Sequence, residues 1–99
     1  MASLADALDV LRVNASELRA RGVRHVAIFG SVARGEANAQ SDVDVLLEMD
    51  PQKRIGLFGY VALCADIEEL FSPKADVVNA ATVRPRYRQS ILSDAVYAF

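Results

Sequence analysis

Apolar and polar positions along this 99-residue chain switch between helical and strand periods, and the switches mark its elements. Over residues 4–21, Leu4, Leu8, Leu11 and Leu18 recur on one side of a helix that Gly22 stops, with Asn14 and Ser16 placed to bend it. Residues 24–29 (Arg-His-Val-Ala-Ile-Phe) form an apolar run ending at Gly30 and predict a buried strand. Ser31 to Arg34 then suit a short helix closed by Gly35. A second buried strand is predicted over 43–49, bounded by Ser41-Asp42 and by Asp50-Pro51. A third helix over 55–71 would turn Leu57, Val61, Cys64 or Ala65, and Ile67–Leu70 inward, although Gly56 and Gly59 loosen its start. After the Ser72-Pro73 break come a third strand at 75–79 and a fourth helix at 85–93.

This alternation predicts an α/β or α+β domain: a small mixed β-sheet with helices packed on one face and the other face partly open to ligand. No repeat or linker divides the chain, so residues 1–99 read as a single domain with a modest core. The terminal Val96, Tyr97 and Phe99 alternate with Ala95 and Ala98. They either return to the core as a strand or form an apolar patch that docks a partner.

The chemistry concentrates in one run: Gly30-Ser31, ten residues, then Asp42-Val43-Asp44. Ser31 falls at the first turn of a short helix, where backbone N–H groups attract phosphate oxygens, and Gly30 lets the backbone approach a ligand. On its own this pair reads better as an ordinary strand-to-helix turn with a serine cap. The two acids change the balance. Strand alternation puts Asp42 and Asp44 on one side while Val43, Val45 and Leu47 face the other. Carboxylates so placed repel unless a cation lies between them, and Mg²⁺ takes such oxygen ligands together with substrate phosphates. Asp76, on the third strand beside Lys74, would supply a further carboxylate if that strand lies next to the second, as a site for two metal ions requires. Arg34, three residues after Ser31, either neutralises triphosphate charge or pairs with Glu36.

These residues resemble the minimal nucleotidyltransferases of the DNA polymerase β-like superfamily, whose signature is Gly-Ser, ten residues, Asp-x-Asp, and a later Asp. Here the signature reads GSVARGEANAQSDVD, and the later strand reads KADVV. The resemblance spans nearly the whole chain. It implies the nucleotidyltransferase fold, catalytic metal-binding roles for Asp42, Asp44 and Asp76, and nucleotide contacts from Gly30, Ser31 and Arg34. It further implies two Mg²⁺ ions as cofactors, ATP as substrate, and a role as antitoxin that transfers AMP to a hydroxyl, a tyrosine above all, of a HEPN-type RNase toxin. Larger superfamily members carry a second domain for the acceptor, so a chain of this size is expected to meet its acceptor as a separate protein, in a hetero-oligomer. Two alternatives stay open: a non-catalytic binding module that masks its partner, and a transferase acting on a small molecule or an RNA end.

Composition narrows the partners. Eleven Lys+Arg against thirteen Asp+Glu leave a net charge of −2, which argues against nucleic acid as a direct ligand. The cluster Arg84, Arg86 and Arg88 with Tyr87 is the exception: a solvated helix face, or a contact for a triphosphate, RNA or acidic partner. Phe58 and Tyr60 are expected to add aromatic surface near the nucleotide side. Residues 1–12 lack the basic start and unbroken apolar stretch of a signal peptide, and no 18-residue apolar run exists. With Cys64 as its lone cysteine the chain is expected to be cytoplasmic, Cys64 filling a small core position and His25 carrying no role.

Overall fold

The computed structural model describes residues 3–38, 42–71 and 75–99. The boundaries expected at Ser41 and Ser72-Pro73, and the position of Lys74, lie outside the described residues. Helices α1 (Leu4–Val13) and α2 (Ala15–Ala20) lead into strand β1 (Val23–Phe29) and the short helix α3 (Gly30–Ala33). Strand β2 (Val43–Met49), helix α4 (Gly56–Glu69) and strand β3 (Ala75–Asn79) follow. A 3₁₀ turn (Ala80–Thr82), helix α5 (Pro85–Asp94) and strand β4 (Val96–Tyr97) complete the chain. The sheet order is β3-β2-β1-β4; β1 pairs antiparallel with β2 and β4, and β2 pairs parallel with β3.

The predicted first helix is two helices. Ser3 caps α1 by accepting the Asp6 backbone N–H, and α1 ends where the Asn14 side-chain amide donates back to the Val10 carbonyl at 2.8 Å. That bond diverts the Asn14 side chain onto its own helix and lets the chain re-enter as α2. Ala7, Leu8, Leu11 and Leu18 still share one buried face. Gly22, with φ +96°, ends α2 in the left-handed region that a side chain disfavours.

Period-two alternation sorts the sheet. Val26, Ile28, Val43, Val45 and Leu47 bury against α1, α2 and α4 as one core with Leu63, Ile67 and Phe71. Ala27 and Leu46 are also buried but point to the opposite face, part of which α5 covers. The tail takes the strand reading. Tyr97 pairs with Ala27 and Val96 with Ile28, and the Ala98 N–H donates to the Val26 carbonyl at 2.8 Å. Arg12 clamps the same segment from α1, its Nε donating to the Ala98 carbonyl at 2.9 Å, and the Arg19 guanidinium lies 4.6 Å over the Phe99 ring.

On α4 the inward face differs from the sequence expectation. Leu63 and Ile67 are fully buried, with Tyr60, Cys64 and Leu70 beside them, whereas Leu57 is 74% exposed and Val61 56%. The helix is apolar nearly all round, so periodicity alone does not choose its face. Phe58, 89% exposed, lies in the first turn of α4, which follows the end of β2 far from Asp44, and Tyr60 contacts Asn79 at the corresponding end of β3. Both rings lie away from the Asp44 end of the sheet, unlike the expectation for them.

Truncation at these positions should separate the two faces. Leu63→Ala should cost about 2–5 kcal/mol in chemical denaturation, and Val61→Ala no more than about 0.5 kcal/mol. A larger cost at Val61 than at Leu63 would show that α4 packs through its other side.

Candidate active site

The site begins where β1 runs into α3. Phe29 is extended, and Gly30 turns into α3 with φ +73°. A Cβ built on Gly30 would strike the Asp44 carboxylate. Glycine is therefore required twice here, for the left-handed turn and for the close approach of an acid to bare backbone. Ser31 is half-buried at the same turn, and its carbonyl accepts the Glu36 N–H at 2.9 Å, which draws the following loop back over α3.

Register assembles the acids. Asp44 is paired with Phe29 on β1 and with Asp76 on β3, so the side chains of all three residues project from one face. Asp42 lies immediately before β2 and one alternation from Asp44. Val43, Val45 and Leu47 point into the core between them, as the alternation predicts. Among the described residues no three His, Cys, Asp or Glu side chains are gathered tightly enough to hold a metal ion as they stand, so the aspartates share a face without closing on one point.

Their fields nevertheless meet at Asp44. Partial burial pushes its carboxyl pKa up, and the negative charges of Asp76 and then Asp42 push it further; Arg34 opposes them weakly. The donor set is thus three oxygen-bearing acids on an open face, with repulsion that a divalent cation would relieve, and it fits Mg²⁺ in type and charge. Arg34 is not directed solely at that charge. Its Nε donates to Glu36 at 2.6 Å and its Nη1 to Asp94 on α5 at 2.6 Å. The ion-pair alternative foreseen for Arg34 is the arrangement observed, with Asp94 as an additional partner. Sixty residues separate Arg34 from Asp94, and no local pattern announces that contact. Phe29 is a second neighbour missed by sequence reading; its pairing opposite Asp44 follows from strand register alone.

The basic cluster on α5 is solvent-exposed. Arg86 stacks over its neighbour Tyr87 at 4.8 Å, and Arg88 reaches a cavity on the acid face. His25 is exposed, edge-on to Tyr97 at a ring separation of 6.1 Å.

Comparison with known proteins decides the family. A family model described as a nucleotidyltransferase domain matches residues 11–98. The chain belongs to the nucleotidyltransferase family. This nucleotidyltransferase is 32% identical over 98 residues to the protein adenylyltransferase MntA of Thermococcus cleftensis, covering 98% of this chain and 97% of the relative. It superposes with a TM-score of 0.68 on a solved structure described as a candidate minimal nucleotidyltransferase, at 32% identity over 93% of this chain and 88% of that one. A chain from the tri-AMPylated Shewanella oneidensis HEPN toxin in complex with MNT antitoxin shares the fold, with a TM-score of 0.61 at 12% identity over 93% of this chain and 71% of that one. No described helix of the nucleotidyltransferase is long and apolar enough to cross a membrane.

The raised Asp44 pKa sets a sign for stability. A carboxyl that binds its proton more tightly folded than unfolded adds stability at low pH, and that increment is lost as pH rises through its folded pKa. At neutral pH, in EDTA, Asp44→Asn should therefore raise the thermal midpoint, by on the order of a few degrees. Magnesium should raise the wild-type midpoint and narrow that difference. A variant melting below wild type in EDTA would contradict the repulsion described. Gly30→Ala should act oppositely, losing about 1–3 kcal/mol in denaturation, because the added methyl meets both a disfavoured φ and the Asp44 carboxylate.

Proposed function

We propose that this nucleotidyltransferase uses Mg²⁺-bound ATP to transfer AMP to a tyrosine hydroxyl of a HEPN-type toxin, acting in the cytoplasm as that toxin's antitoxin. The observation that carries the reading is the side-by-side placement of Asp44 and Asp76 on the open sheet face, with Gly30 backbone against the Asp44 carboxylate. The likeness to MntA, named a protein adenylyltransferase, supports AMP as the transferred group. The fold shared with an antitoxin bound to a tri-AMPylated HEPN toxin supports the partner.

In this reading Asp42, Asp44 and Asp76 would hold two Mg²⁺ ions, and the Gly30-Ser31 turn would grip the leaving pyrophosphate. Bound there, the ions would supply Lewis-acid activation of the acceptor hydroxyl and neutralise the pyrophosphate as it departs. The chain's own contribution is positioning. Core packing behind Val43, Val45 and Leu47 holds the acid-bearing strand rigid, and the turn at Gly30 admits phosphate oxygens beside Asp44. The acceptor oxygen forms a bond to the α-phosphorus, the bond from that phosphorus to the bridging oxygen breaks, and the hydroxyl proton passes to water. No side-chain general base is required. Ionised acids are required, so transfer should fall as pH drops through the raised Asp44 pKa.

Incubation with α-labelled ATP, Mg²⁺ and a HEPN-type toxin should place label on the toxin. Asp44→Asn should lower that transfer by at least about 100-fold, with an unchanged circular dichroism spectrum. A tight complex carrying no label would assign the protein to masking its partner; normal transfer by Asp44→Asn would refute the catalytic assignment.

A further inference from the structure

The sheet face that carries the acids also carries a preformed cavity. Leu46 stands two residues beyond Asp44 on β2, on the same face and ~7 Å along the strand. It is 3% exposed yet lies outside the main core, because what covers it is α5 and the turn before it. Between them is a cavity of about 200 Å³ lined by Leu46, Ala80, Val83, Arg88, Ile91 and Leu92. Five of these side chains are aliphatic, and the sixth brings a guanidinium.

We propose that this cavity seats the nucleobase of the nucleotide whose phosphates lie at Asp44, and that Arg88 is the polar contact to the base. The inference rests on the nucleotidyl-transfer reading above and adds where the other end of the substrate goes. A ribose separates a base from its α-phosphorus by about the step from the acid pair to this cavity. Triphosphate charge has no place among aliphatic walls, whereas the flat faces of a base gain from burial between the sheet and a helix. Among the described residues no acid lines the cavity, so none of its walls offers Arg88 a carboxylate. A guanidinium stacks on an aromatic face and donates to ring nitrogens. Leu92, half exposed, stands at the solvent side of this slot on α5.

Calorimetric titration of the intact chain in Mg²⁺, with ATP and with inorganic tripolyphosphate as separate probes, tests the assignment. Leu92→Trp narrows the cavity from an exposed position, and Ala80→Phe does so from a second wall. Each should weaken ATP about tenfold or more while tripolyphosphate stays within about twofold of wild type. Arg88→Ala should weaken ATP about three- to tenfold, again sparing tripolyphosphate. ATP binding retained by both filled variants overturns the proposal, and if AMP transfer is then lost the cavity belongs to the acceptor. Equal weakening of both probes by Arg88→Ala also overturns it, by placing the guanidinium on phosphate. Failure of the underlying reading looks different: the wild-type chain would bind neither probe.

Discussion

The register of β2 against β3 is the constraint on which everything else in this molecule depends. Pairing Asp44 with Asp76 sets two like charges side by side on one face of the sheet, an arrangement that costs stability in an isolated domain. It persists because the opposite face leaves no freedom. Val43, Val45 and Leu47 are fully buried against Leu63 and Ile67 of the crossover helix, and a slip by one residue would drive the acids into the core and the valines into water. Hydrophobic packing on one side of the strand thus maintains electrostatic tension on the other. Burial first, and then the charges of Asp76 and Asp42, raise the Asp44 pKa in consequence.

The open face is organised around the same strand. At its start, Gly30 brings backbone against the acid; two residues along, Leu46 floors the cavity beneath α5. Arg34 joins these regions by bridging Glu36, just after α3, and Asp94, at the end of α5. Exposed ion pairs add little to stability, so this bridge matters for where it holds α5 relative to the turn at Gly30. A nucleotide that attracted Arg34 would have to compete with two carboxylates already in contact.

Much of this was legible from residue order, and the exceptions have physical causes. The strands at 43–49 and 75–79 appear where the apolar runs place them. Strand β1 starts one residue earlier than expected, at Val23, whose pairing with Met49 lies across an irregularity in the ladder that no local pattern encodes. The positions of Asp42 and Asp44 followed from the two-residue period, but the placement of Asp76 beside them needed the parallel crossover through α4. The buried face of α4 was not readable, since Leu57, Phe58 and Val61 are as apolar as the Leu63 and Ile67 that pack inward. Asp94 escaped notice because its partner is remote in the chain.

The short β4 has a consequence out of proportion to its two residues. It occupies the outer side of β1, and beyond it the Val26 N–H donates to the Phe99 carbonyl while the Val26 carbonyl accepts the Ala98 N–H. Without that cover, the unpaired backbone edge of β1 would offer a template for a strand from another molecule. Arg12 and Arg19, reaching from the first two helices to hold the tail, therefore guard against self-association as much as they fasten the fold.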